Sequence, residues 1–235
     1  MLLYIIRHGD PDYGRDCLTE LGKAQALAVG KRLSNSGIDE VYASPMGRAR
    51  ETAQPLCMLT KKEMQILPWA HELGREVQTP FPNGVNKSVS VVPNAYYAIN
   101  GNQNIGVADS FTADGFKETV GMETKAKWVW SEADAFLAQH GYVREEGAYR
   151  MVAPNDKRIA IFCHGAMGRC LMSHLLNIPI HTFWGSFSVS HTGVSIFEFR
   201  NYPDGITAAN CLCFDDLSHI YAERLPYTFC GRVKL

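Results

Sequence analysis

Two apolar runs in this chain end in the same dipeptide, and that repetition limits the folds open to it. Leu2-Leu3-Tyr4-Ile5-Ile6 runs into Arg7-His8-Gly9, and Arg158-Ile159-Ala160-Ile161-Phe162-Cys163 runs into His164-Gly165. Short, unbroken apolar runs bounded by turn residues are the pattern of strands buried on both faces of a sheet. The segments between and after them have a helical period. Thr19 stands as N-cap before a helix in which Leu21, Ala24 and Ala28 share a face, ending near Ser36-Gly37. Asp39 to Ala43 is a short strand, after which Ser44 is expected as an N-cap with Pro45 at the first helical position. Ala49, Thr52, Ala53 and Leu56 then recur on one helix face.

Further along, Ile66-Leu67 is a weak third strand, Glu123 to Gln139 a helix, and Tyr142 to Val152 a hairpin. The helix after His164 carries Leu171, Leu175 and Leu176 on one face, and Thr192 to Phe199 is another strand. This alternation implies an α/β layered fold with a largely parallel sheet. Residues 77–118 break the pattern. They are rich in Asn, Gly, Pro and Ser, and are expected to leave the core without marking a domain boundary.

Composition narrows the function. The chain has 235 residues, 46% hydrophobic, enough for one large domain or two small ones. With 23 Lys+Arg against 24 Asp+Glu, its net charge of −1 argues against nucleic acid or an anionic membrane as the chief partner. A local basic pocket for a small anion stays compatible with that balance. No apolar run reaches the length of a transmembrane helix, and the first residues lack the layout of a secretory signal. Seven cysteines, at 17, 57, 163, 170, 211, 213 and 230, fit reduced thiols in a cytoplasmic protein better than a disulfide framework. The one close pair, Cys211-x-Cys213, lacks the spacing of a zinc site.

In an open parallel sheet, the turns after the strands share one edge, where such proteins bind ligands. Arg7, His8, Arg48 and His164 are therefore expected to meet. Two guanidiniums make a fork for a phosphate or carboxylate. A neutral imidazole beside a fixed phosphoryl group can attack it through nitrogen, while the remaining cationic groups stabilise the charge on its oxygens.

Four blocks carry a family resemblance: Arg7-His8-Gly9, Leu18-Thr19-Glu20-Leu21-Gly22, Ser44-Pro45-Met46-Gly47-Arg48-Ala49 with Thr52-Ala53, and His164-Gly165. Together they resemble the histidine phosphatase superfamily, the phosphoglycerate-mutase-like group with the Arg-His-Gly signature. The resemblance covers about half the chain. It implies a three-layer αβα sandwich with a mostly parallel central sheet, as a single domain in which residues 77–157 form a cap or insertion over the active site. It further implies a phosphohistidine on His8, with Arg7, Arg48 and His164 completing the phosphate pocket, and no cofactor or metal. The acid/base carboxylate falls in His71-Glu72-Leu73-Gly74-Arg75-Glu76. Glu72 is chosen over Glu76, to protonate the leaving alkoxide and later activate water.

The segment after Gly9 is short and lacks the Asn and Trp of the glycolytic mutases, having Asp10-Pro11-Asp12-Tyr13-Gly14-Arg15 instead. That departure favours a phosphatase acting on a small phosphorylated substrate over a mutase. Gly165 and Arg15 are further candidate substrate contacts, as are Arg75, Tyr96 and Tyr97. Two other readings compete. One is a metal-dependent hydrolase built on His8-x-Asp10-x-Asp12 with His164; the other is a non-catalytic anion-binding module. Thiol chemistry at Cys163 or Cys170 is a further reading, set against a core role for both.

Overall fold

The computed structural model describes residues 1–73, 78–80, 86–88, 109–112, 117, 119–226, 228–229 and 233–234. In chain order the main elements are β1 (Leu2–Arg7), α1 (Glu20–Ser34), β2 (Glu40–Ala43), α2 (Gly47–Thr60), β3 (Met64–Ile66), α3 (Met122–Gln139), β4 (Tyr142–Glu145), β5 (Ala148–Met151), β6 (Arg158–Cys163), α4 (Gly165–Leu175), α5 (Ile180–Ser186), β7 (Val194–Phe199), β8 (Ala209–Asp216) and α6 (Ser218–Ala222).

The central sheet has the order β8-β7-β1-β6-β2-β3. The four strands from β1 to β3 in that order run parallel. β7 and β8 add an antiparallel edge. β1 shows why its sequence is apolar throughout: Leu3 and Ile5 enter one core, Tyr4 and Ile6 the other. Successive side chains of a strand point to opposite faces, so a strand covered on both sides has no polar positions to spare. Below the sheet, α1 and α2 supply Val29, Leu33, Ala53 and Leu56; above it, α3 to α5 supply Val129, Phe136, Leu171 and Phe183. Each fully buried large side chain of this kind contributes roughly 1.5–3 kcal/mol. The result is a three-layer αβα sandwich.

The local expectations fare unequally. Thr19 caps α1, its Oγ1 accepting the Gly22 N–H at 3.1 Å. Ala49, Thr52, Ala53 and Leu56 are all fully buried along one face of α2. Ser44 is a correction: α2 begins at Gly47 with Met46 as N-cap, so Ser44 is not the cap and Pro45 is not in the first turn. Ser44 is instead buried and turned to His164. β8, which carries Cys211 and Cys213, was not anticipated; its alternation is too irregular to mark a strand. Within residues 77–157, α3 and the β4–β5 hairpin pack into the upper layer. Residues 81–85 and 89–108, and with them Tyr96 and Tyr97, lie outside the described residues, as do Arg75 and Glu76.

β1 connects through α1 to β2, and β6 later fills the space between those two strands. In the β1–β6 ladder Arg7 lies opposite Cys163, so His8 and His164 leave the sheet side by side at the same level.

Candidate active site

Glycines bring the His8 turn down onto α1. A Cβ on Gly22 would lie 2.1 Å from the Asp10 carbonyl oxygen, and one on Gly9 would lie 2.8 Å from the Gly22 oxygen. The two motifs that carry these glycines are thus two sides of one backbone contact. Side chains then fix the turn. Thr52 Oγ1 accepts the Gly9 N–H at 3.0 Å, and Gln25 Oε1 accepts that of Asp10 at 2.8 Å. The His8 N–H donates to the Cys163 carbonyl at 2.9 Å.

His8 is 1% exposed, and its Nδ1–H donates to the Gly9 carbonyl at 2.8 Å. That bond selects the tautomer: in the neutral ring the lone pair sits on Nε2. Burial, then the nearby Arg7 and His164, hold the His8 pKa well below the ordinary value, with Arg48 adding to the effect. The ring is therefore uncharged at neutral pH. His164 is likewise buried, its ring centroid 5.1 Å from that of His8. Its pKa is also held well down, by burial first and then Arg48 and Arg7. Ser44 Oγ lies 2.7 Å from His164 Nε2, so Nδ1 is the nitrogen left for the pocket.

The two arginines are anchored by part of their forks only. Arg7 Nη1 donates to the Val189 carbonyl at 2.8 Å. Arg48, from the first turn of α2, pairs with Asp16, whose other carboxylate oxygen accepts the Gly47 N–H at 2.7 Å. Arg7 Nε, Arg48 Nε and His164 Nδ1 are buried without a hydrogen-bond partner. Buried polar groups in folded proteins are almost always satisfied, and each exception asks for a reason. Two guanidinium donors and an imidazole nitrogen left open beside a buried imidazole suit a polyoxo anion.

Glu72, half-buried, stands on the upper side of the sheet, against the start of α4. Its carboxylate accepts the backbone N–H groups of Met167 at 2.9 Å and Ala166 at 3.3 Å, in the first turn of α4, and that of Leu73 at 3.0 Å. It thus lies at the helix that starts from the His164-Gly165 turn, where the N-terminal dipole favours an anion. Gly165 has a steric role: a Cβ there would sit 3.3 Å from Arg7 Nε. Arg15 lies apart from the cluster; it is 78% exposed and pairs with Asp12 at 2.7 Å. Of the expected site residues, the fold brings together Arg7, His8, Arg48, Glu72, His164 and Gly165.

Two residues were not foreseen. Tyr13 sets its ring edge against His8, with centroids 6.4 Å apart, and the Arg48 guanidinium carbon lies 5.4 Å from the centre of the same ring. His191, in the loop before β7, has its ring centroid 5.6 Å from that of His8. Its signal in the sequence is His191-Thr192-Gly193 ahead of a strand, a histidine-glycine turn on the opposite end from the other two.

The ligands proposed for a metal are committed elsewhere: Asp10 Oδ2 accepts from Thr19 Oγ1 at 2.7 Å, and Asp12 binds Arg15. Among the described residues, no three His, Cys, Asp or Glu side chains converge in a metal-binding group. Cys163 is a fully buried thiol whose pKa burial pushes up to about 12, and burial pushes Cys170 up as well. Neither is a reactive thiolate, so both serve as core residues.

Comparison with known proteins places these features in a family pattern. The model of the histidine phosphatase superfamily (branch 1) matches residues 3–76 and 143–211, which include every residue of the cluster. The probable phosphoglycerate mutase GpmB of Erwinia tasmaniensis is 38% identical over 61 residues, an alignment covering 22% of this chain and only 28% of that protein. Among solved structures, the phosphoserine phosphatase of Entamoeba histolytica in complex with 3-phosphoglyceric acid is similar in fold, with a TM-score of 0.60, 21% identity, and coverage of 93% of this chain and 98% of that one. The mycobacterial glucosyl-3-phosphoglycerate phosphatase is similar too, with a TM-score of 0.59, 17% identity, and coverage of 91% and 98%.

Proposed function

This chain belongs to branch 1 of the histidine phosphatase superfamily, and from that membership we propose that it hydrolyses small phosphomonoesters through a phosphohistidine on His8. The observation that carries the reading is the set of unpartnered buried nitrogens on Arg7, Arg48 and His164 around an uncharged His8. Arg7 and Arg48 hold the phosphoryl oxygens, and His8 Nε2 attacks phosphorus. The P–O bond to the alcohol breaks, and Glu72 supplies the proton to the leaving oxygen. His164 donates from Nδ1 to the phosphoryl group, with Ser44 holding its other nitrogen. Glu72, now a carboxylate, then takes a proton from water as that water attacks the phosphohistidine; the P–N bond breaks, and the electron pair returns to His8 Nε2. Charge is stabilised throughout by groups already in place.

The phosphatase names of the structural neighbours support this substrate class, and the 61-residue similarity to a mutase makes phosphoryl transfer to a second hydroxyl the alternative outcome. Residues 77–157 are proposed as the insertion that caps the pocket and sets substrate choice. A cytoplasmic location is proposed from the unpaired state of the six described cysteines; among the described residues no helix is long and apolar enough to cross a membrane.

The test is hydrolysis of an aryl phosphate in excess EDTA, with acid quenching to trap the phosphoenzyme. Wild type is expected to turn over and to carry acid-labile phosphate, and His8→Ala to do neither. Turnover that survives in His8→Ala overturns the reading. Turnover lost in EDTA and restored by a divalent cation returns the metal-dependent hydrolase.

A further inference from the structure

His191 is a buried histidine for which the chemistry above has no task. Its side chain is 10% exposed, its ring is tilted 33° to that of His8, and its Nε2 is buried with no hydrogen-bond partner. Its Nδ1 lies 3.6 Å from Asp10 Oδ1, close enough to orient the ring though too far for a hydrogen bond.

The backbone that carries this ring is strained and tightly held. Thr192 has φ +57, a left-handed conformation that is a genuine outlier for a β-branched residue. Strain of this kind persists only where surrounding contacts impose it, and it gathers at functional sites. Here the contacts come from four directions. The Thr192 N–H donates to the carbonyls of Arg7 at 3.0 Å and His8 at 3.3 Å. Asp215 grips Ser190, the residue before His191, accepting its N–H at 2.7 Å and its hydroxyl at 2.8 Å. A Cβ on Gly193 would lie 1.8 Å from Asp215 Oδ1, so only glycine lets that carboxylate in.

The fourth is a chain of donors. Arg32 Nη1 donates to His219 Nδ1 at 3.4 Å, His219 Nε2–H to Thr192 Oγ1 at 3.0 Å, and the Thr192 hydroxyl to the His191 carbonyl at 2.7 Å. The chain runs in this sense only while His219 is neutral. Burial, aided by Arg32, keeps it so by lowering its pKa to about 4.

We propose that His191 is a positioning residue for the His8 imidazole, and that the clamped loop sets its ring against one face of the nucleophile. The proposal rests on the reading of His8 as the nucleophile. Packed there, His191 restricts rotation of the His8 ring and excludes water from it. His191 itself adds no charge, because burial and Arg7 lower its pKa to about 3. The other groups facing His8 are Arg7 on β1, Arg48 on α2, His164 ahead of α4, and Tyr13. The three cationic or titratable ones discourage protonation. A histidine fits the position because Asp10 can orient it, which an aliphatic side chain would not allow.

The experiment is ¹⁵N NMR of the histidine side chains in the full chain, followed through pH, for wild type, His191→Ala and His191→Asn. In wild type, His8 is expected as one neutral tautomer protonated on Nδ1, with a midpoint well below 6.5. In both variants the midpoint moves up towards 6.5 and the second tautomer appears. Phosphoenzyme formation then slows roughly 10- to 100-fold with KM little changed. His191→Asn is the smaller perturbation and serves if His191→Ala does not fold. Either folded variant with His8 resonances and titration like those of wild type overturns the proposal. Absence of phosphoenzyme in wild type defeats the phosphatase reading instead, while the NMR still decides whether His191 positions His8.

Discussion

The αβα frame carries two polar clusters, one buried and one part-buried, and they are finished differently. One is the pocket around His8. The other joins α3, α4 and the β4–β5 hairpin: Asp134 holds His174 Nε2 through both oxygens at 3.0 Å, and Trp130 stacks on His174 at 5.1 Å while donating to the Cys170 carbonyl. Arg144 bonds the Tyr149 hydroxyl at 2.6 Å and Asn177 at 2.5 Å. No side-chain nitrogen or oxygen of Asp134, His174, Arg144 or Tyr149 is buried without a partner, whereas Arg7, Arg48, His164 and His191 each leave one nitrogen so. A satisfied network rigidifies the fold. A cluster that keeps donors open carries a cost in stability, and in a pocket that cost is the mark of a ligand site.

Mutating the two clusters should separate activity from stability. The largest effect is expected from His8→Ala, which removes the proposed nucleophile: turnover of an aryl phosphate falls by at least about 10³-fold. Its thermal midpoint should stay near that of wild type, because the ring it removes is itself costly to bury. A large drop in that midpoint would mean the pocket is structural after all. Ser44→Ala should act next, by freeing His164 to rotate. A kcat reduced on the order of 10-fold, with KM little changed, is expected from loss of one orienting contact; unchanged kcat would show that His164 needs no such support.

Asp134→Ala tests the other side of the comparison. It strips a part-buried imidazole of its hydrogen-bond partner, which costs about 0.5–1.5 kcal/mol. Denaturant unfolding should register that loss while kcat stays within twofold of wild type. A fall in kcat without loss of stability would erase the distinction between the clusters.

Acid should weaken the pocket first. His8, His164, His191 and His219 all have lowered pKa values, to about 3 for His191 and about 4 for His219. In the unfolded chain each takes up a proton as pH falls through about 6.5, whereas in the fold each stays neutral. Their contribution to stability is therefore complete above pH 6.5 and is lost as pH falls from there towards the folded values. Urea midpoints should decline below pH 6.5, and less steeply in His191→Asn, which has one such group fewer.

How much of the pocket the sequence discloses follows from strand direction. His8 and His164 follow apolar strands, and the parallel sheet that those strands imply puts both turns on one edge. His191 reaches the same edge at the start of its strand, because β7 is antiparallel to β1. Only the strand's direction tells which of its ends meets the pocket, and no local pattern in residues 194–199 sets that direction. Ser44 misled for a related reason. A Ser-Pro pair before an apolar helical period has the form of a cap, yet the side chain is drawn to His164, 120 residues away. The glycine contact between Gly9 and Gly22 was present as two motifs, but their mutual steric need is visible only once the turn lies on α1.

Arg15 supplies the smallest expected effect and the finest cut between pocket and surface. It lies close in sequence to Tyr13, which faces His8, yet its guanidinium is mostly in solvent and paired with Asp12. An exposed pair of this kind is screened and adds little to stability. Arg15→Ala should thus leave the thermal midpoint unchanged, and kcat/KM for a small aryl phosphate within twofold of wild type. A larger substrate could still reach it from the pocket mouth. If KM for the aryl phosphate itself rises several-fold at constant kcat, the cationic pocket extends along the Asp10–Cys17 segment, and Arg15 belongs with Arg7 and Arg48.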